Sequence, residues 1–215
     1  NGEKMSKSTG NVVDPFKIID DYGLDQVRYF LLREVRFGQD GDYSEDALIK
    51  RANSDLANDY GNLAQRVLSF IYKNCNQKIP SANELNDTDI KILKFVDKST
   101  NNIINFMNNY EITSAIEELW SVIREANSYI DAEAPWALKN TDVERMNTVL
   151  NTLSNIIRKI SLIALNFVPK GANKILDQLM VPKNKRNFKF YNELIEENII
   201  IKPEGVFPRL ENMND

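Results

Sequence analysis

The sequence predicts a mainly α fold: an antiparallel helix bundle preceded by a small α/β module. Three observations carry this. A turn-rich first stretch with short apolar runs closes on Gly38-Gln39-Asp40-Gly41-Asp42; a helical period sets in at Ser44 and persists; and the amphipathic segments are joined by short loops. Of 215 residues, 42% are hydrophobic and 27% charged, with 8 Gly and 7 Pro, the balance of a globular chain large enough to bury a core. The expected divisions are 1–43, 44–180 and 181–215, the last a short helix and an extended strap over the bundle.

In chain order, Asp14-Pro15 opens a helix carrying Phe16, Ile18 and Ile19, because proline fits the first helical position. Asp25 to Leu32 forms a second apolar helix with Arg28 and Arg33 at its flanks. Ser44 is the expected N-cap of a long helix, with Glu45 and Asp46 in the first turn where negative charge complements the helix dipole. Its stripe is Ala52, Leu56, Tyr60, Leu63, Val67 and Phe70, and it runs to about Asn74. After a loop with Pro80, Thr88 to Asn108 repeats the pattern through Ile92, Phe95, Val96, Ile103 and Phe106.

Ser114 and Glu117 have capping-box spacing ahead of a stripe of Ile116, Leu119, Ile123, Ala126 and Ile130. Thr141 and Glu144 repeat that spacing before Met146, Leu150, Leu153, Ile157, Ile160 and Ala164, and Pro169 is expected to end that helix. Beyond Val181, Pro182, Pro203 and Pro208 break the pattern, leaving a short helix around Tyr191 to Glu196 and then extended chain.

Composition narrows the chemistry. A single Cys75 excludes an internal disulfide or a Cys-rich zinc knuckle, and the absence of His removes the commonest zinc ligand and proton shuttle, so no metal is expected. No apolar run reaches membrane-spanning length and no signal peptide is visible, so a cytoplasmic location without membrane attachment is expected. A net charge of −4 argues against a general nucleic-acid coater more than against a selective reader of a folded RNA.

Two regions could carry function. Lys4-Met5-Ser6-Lys7-Ser8, closed by Thr9-Gly10, sets two lysines among small side chains in a cationic loop suited to a polyphosphate; a merely solvated basic loop is the plainer alternative. Asn62 and Arg66 are one turn apart and project from the flank of the long helix's stripe, where an arginine is ordinarily paired with an acid such as Asp59. Trp136, in Ala134-Pro135-Trp136 at a helix junction, either plugs the end of a core or offers a stacking face; Trp120, mid-helix, belongs to the core or its margin.

KMSKS-x-GN-x-x-DP and the following Tyr22-Gly23-Leu24-Asp25-Gln26-Val27-Arg28 resemble the second signature of class I aminoacyl-tRNA synthetases and the segment after it. Asn-Leu-Ala-x-Arg at 62–66, Ala-Pro-Trp at 134–136, Phe37-Gly38-Gln39-Asp40-Gly41 and Phe207-Pro208-Arg209 are similar to the methionyl-tRNA synthetase pattern, over essentially the whole chain. The resemblance implies a C-terminal piece of such an enzyme: the KMSKS loop and stem-contact module, then the anticodon-binding bundle.

It further implies that Lys4 and Lys7 are catalytic, with Lys7, Ser6 and Ser8 on ATP, and that Asn62 and Arg66 hydrogen-bond anticodon bases while Trp136 stacks under the first of them. The implied partners are methionine tRNA, methionine and ATP, in a monomer that joins methionine to tRNA with release of AMP and pyrophosphate. With no His there is no HIGH signature, so these residues alone are expected not to form methionyl adenylate. The competing readings are the same region of a leucine, isoleucine, valine or cysteine enzyme, and a helical protein-interaction module.

Overall fold

The computed structural model describes residues 13–38, 41 and 43–211; the expected ATP-loop residues Lys4, Ser6, Lys7 and Ser8 lie outside them. Asp14 caps α1 (Pro15–Tyr22) by accepting from the Phe16 N–H, and Gly23, at φ +93°, turns the chain directly into α2 (Leu24–Glu34). The positive φ of Gly23 is what requires glycine at this tight turn. The described part of the first module is these two helices; among the described residues the only β pairing is an isolated antiparallel bridge, Lys78 to Ile199.

Ser44 caps α3 (Glu45–Arg51) as its sequence indicates, and the helix runs unbroken to Asn74. Its middle differs from expectation. Ala52–Gly61 winds as a π-helix before α4 (Asn62–Asn74) resumes α geometry. The stripe nonetheless faces inward, with Ala52, Leu56, Tyr60, Leu63 and Val67 all buried.

A capping box of Asn86 and Asp89 starts α5 (Asp87–Asn108). After a three-residue turn comes α6 (Ile112–Glu133), which begins two residues before Ser114; Glu111 occupies its N-cap, so the expected Ser114 capping box lies inside the helix. The left-handed Ala134, at φ +41°, ends α6, and Pro135 opens the short α7 (Pro135–Leu138). The N-cap of α8 (Val143–Ala164) is Asp142, whose carboxylate accepts from the Arg145 N–H, while Thr141 turns its hydroxyl back to the Ala137 carbonyl. α8 stops at Ala164, and Pro169 begins α9 (Pro169–Gln178) rather than ending its predecessor.

The bundle is organised around α8, which packs on α4, α5, α6, α7 and α9. From Thr148 to Ala164 every residue of α8 is buried, not only the expected stripe. The chain beyond Val181 covers the second face: Asn155 exchanges hydrogen bonds with the backbone of Ile195, and Arg158 donates to the carbonyls of Phe190 and Tyr191. Each fully buried Leu or Ile on this helix contributes ~1.5–3 kcal/mol, and the polar residues are tolerated because they find partners. Residues 191–196 are turn and extended chain, not the expected helix, since their backbone is committed to α8.

α2 fastens the first module to the bundle at the α8–α9 corner. The buried Asp25 carboxylate accepts from the N–H groups of Lys170 and Gly171 at 3.3 and 2.6 Å, and Arg28 donates to the carbonyls of Asn166 and Phe167. Anion at a helix start and cation at a helix end are the favourable signs for both dipoles.

Candidate nucleic-acid interface

Asn62, the first residue of α4, is exposed, and Arg66 follows one turn later with its side chain 30% exposed. Trp136 arrives from a different part of the chain. The left-handed Ala134 reverses the backbone after α6, Pro135 is buried as the anchor, and the Trp136 ring is left 47% exposed. It is no core plug. Trp120 is the contrast: 1% exposed, packed on Tyr29 and Tyr60, with its Nε1–H donating to the Asp55 carbonyl at 3.0 Å.

The fold brings Arg66 and Trp136 together. The guanidinium carbon lies over the ring, 5.4 Å from its centroid, and Nη2 pairs with Asp131 at 2.5 Å on the last turns of α6. Asp131 is therefore the acid on Arg66, one other than Asp59. Asp59 faces another environment, where burial and then the neighbouring Asp55 charge push its carboxyl pKa up.

A part-buried hydrogen-bond network lies at the helix junction from which Trp136 emerges. Arg145, on the first turn of α8, grips Asp89 at 2.5 and 2.9 Å and also donates to Glu133 at 2.6 and 3.2 Å. Tyr129 donates to the same Asp89, and the Thr88 hydroxyl to Glu133. These residues join the starts of α5 and α8 to the end of α6, one residue before Ala134. Sequence reasoning missed them; the available signal was Asp89, the fourth residue of a capping box that is also fully buried.

The face thus presents a planar cation with several donors, an amide able to donate and accept, and an aromatic surface. Such groups recognise the edges and faces of unstacked bases. Among the described residues no group of three or more His, Cys, Asp and Glu could hold a metal ion.

Residues 79–213 match the family model described as the anticodon binding domain of methionyl tRNA ligase, and residues 1–68 match that of class I tRNA synthetases (M). The chain belongs to the methionyl-tRNA ligase family. That membership separates it from the class I enzymes for other amino acids and from an unrelated helical interaction module. Asn62 and Arg66 fall in the first matched segment and Trp136 in the second, so the face is built across both.

A methionine-tRNA ligase from Mesorhizobium japonicum is 49% identical over 211 residues, which are 97% of this chain and 41% of that protein. One from Rickettsia felis is 45% identical over an alignment that covers 98% of this chain and 42% of that protein. In solved structures, Mycobacterium tuberculosis methionyl-tRNA synthetase in complex with methionyl-adenylate superposes with a TM-score of 0.92 at 40% identity, covering 97% of this chain and 42% of that one. The chain spans about two fifths of the length of the methionyl-tRNA ligases it matches.

Proposed function

We propose that the Asn62, Arg66 and Trp136 face reads the anticodon of methionine tRNA, within an enzyme that joins methionine to that tRNA and cleaves ATP to AMP and pyrophosphate. The observation that carries this is the Arg66 guanidinium poised over a half-exposed Trp136 ring, with an exposed Asn62 one turn away. A base extruded from the loop stacks on Trp136, and Arg66 and Asn62 meet its Watson–Crick edge or that of its neighbour.

Lys4 and Lys7, with Ser6 and Ser8, are proposed to act on ATP. ATP supplies the activated phosphoryl centre to which methionine is joined; the two lysines stabilise negative charge on the transferring phosphate. The 215 residues contain no His and hence no HIGH signature, so by themselves they are proposed not to form methionyl adenylate. The protein is proposed to work in the cytoplasm as a monomer. Among the described residues no helix is long and apolar enough to cross a membrane.

The test is equilibrium binding of the chain to methionine tRNA and to the same tRNA with one anticodon base changed, at fixed salt. Preference for the methionine anticodon, reduced in Trp136→Ala, is the expected result. Weak binding indifferent to the anticodon would leave Arg66 and Asp131 as a surface ion pair beside an exposed ring.

A further inference from the structure

The ten-residue π-helix just before Asn62 requires an explanation. Hydrogen bonding from residue i to i+5 is rare and ordinarily confined to single-turn bulges, so a run of this length needs support from outside the helix. The C-terminal strap supplies it. Asn53 donates to the Leu210 carbonyl and accepts from the Leu210 N–H, both at 2.8 Å; Arg209 donates to the Asn58 side-chain oxygen at 2.9 Å; and the Phe207 ring lies 5.7 Å from that of Tyr60. As residue numbers fall along the strap they rise along the helix, so the two run antiparallel in contact over the whole π segment.

Phe207 is the wedge at the functional end. It is buried between two glycines: a Cβ on Gly61 would approach its ring to 3.3 Å and the Leu56 carbonyl to 2.9 Å, and a Cβ on Gly171 in α9 would lie 2.1 Å from the ring. Gly61 is the last π residue, and the next amide, that of Asn62, donates five residues back to the Ala57 carbonyl. The π register therefore terminates on the first residue of the candidate face.

We propose that Phe207 is a positioning residue for that face, fixing the π register of Ala52–Gly61 and through it the azimuth at which Asn62 and Arg66 leave the helix. The inference rests on the reading of those two residues as anticodon contacts. A π-helix turns each residue through less than the ~100° of an α-helix. Relaxation of the segment to α geometry rotates Asn62 and Arg66 about the axis and takes Arg66 away from Trp136 and Asp131, which belong to other elements.

The experiment compares the full chain with Phe207→Ala and Phe207→Leu, measuring affinity for methionine tRNA and an anticodon-changed tRNA, together with hydrogen exchange at the amides of residues 57–62. The expected result is a discrimination ratio at least tenfold lower in Phe207→Ala, faster exchange at those amides, and partial recovery of both in Phe207→Leu. Lowered thermal stability with an unchanged ratio and unchanged exchange overturns the proposal. If Phe207→Ala does not fold, Phe207→Leu is compared alone with the unsubstituted chain: a lower ratio with faster exchange at residues 57–62 is expected, and an unaltered ratio with unaltered exchange overturns the proposal. If the unsubstituted chain shows no anticodon preference, the anticodon reading fails, and hydrogen exchange alone decides whether Phe207 holds the register.

Discussion

Arg66 holds two partners from the far side of its helix at once: its guanidinium carbon is 5.4 Å from the Trp136 centroid while Nη2 pairs with Asp131. At a half-exposed site the cation–π contact contributes ~0.5–1 kcal/mol to folding, whereas a base stacked on the same ring, as proposed, would contribute ~1–3 kcal/mol to binding. Trp136→Ala is therefore expected to weaken methionine tRNA binding roughly 5- to 150-fold, the equivalent of ~1–3 kcal/mol, with little change in melting temperature. The buried Trp120 behaves oppositely, and Trp120→Ala is expected to cost ~3–5 kcal/mol of stability. Paired thermal melts and tRNA titrations check both; a large melting shift in Trp136→Ala with unaltered binding would sink the stacking role.

On the proposed anticodon reading, Asp131 competes with RNA for Arg66. Its side chain is 61% exposed, so the pair contributes at most ~0–1 kcal/mol to folding. Asp131→Asn releases the guanidinium and removes a negative charge that repels phosphate. The expected outcome is unchanged stability and tighter binding to matched and mismatched tRNAs alike, with the ratio between them kept. Binding curves at two salt concentrations test this, and an unaltered affinity for both RNAs would show that Asp131 does not restrain Arg66.

The two tryptophans also offer a direct optical test, because one is buried and the other half-exposed. A neutral quencher is expected to reduce the Trp136 emission and to spare that of Trp120. Saturating methionine tRNA is expected to protect the quenchable fraction. Quenching of Trp136 that saturating methionine tRNA leaves unchanged would locate RNA contact somewhere other than the Arg66 and Trp136 face.

What could be read from the sequence was local. The stripes through Ile92, Val96 and Ile103, and through Ile116, Leu119 and Ile123, point inward because a 3.6-residue period needs no knowledge of partners. Capping was read to within one to three residues: Glu111 stands where Ser114 was expected, and Thr141 and Asp142 both have the chemistry of an N-cap, the backbone of the preceding turn deciding between them. The pairing of Asn62 with Arg66 on one flank was legible from their spacing, but Asp131 is 65 residues from Arg66, and no local pattern reports it. The π segment was invisible for the same reason, since its supports, Phe207, Arg209 and Leu210, lie some 150 residues further on. The all-round burial of α8 was missed because its second face is covered by irregular chain with no period to read.

The Asp89 network makes acid stability predictable. Burial by itself pushes the Asp89 carboxyl pKa up, but hydrogen bonds from Arg145, Tyr129 and the Asn86 N–H outweigh it, and the net shift is downward. A carboxyl whose folded pKa is depressed stabilises the fold above its unfolded pKa of about 3.9, and that stabilisation is lost as pH falls toward the lower folded value. Arg145→Ala leaves a buried carboxylate without its cation, at a cost of ~3–5 kcal/mol. With its main opposing partner gone, burial then pushes the Asp89 pKa up, the folded state binds the proton more tightly than the unfolded chain, and the variant should recover part of its lost stability as pH falls, where the parent loses stability. Asp89→Asn removes the titrating group and should flatten the acid limb while still losing stability at neutral pH, because Arg145 keeps only Glu133 as an anionic partner. Urea midpoints from about pH 3 to 7 separate the three proteins. Parallel curves for all three would mean that Asp89 does not carry the acid sensitivity and that Glu133 alone suffices to hold Arg145 at the Trp136 junction.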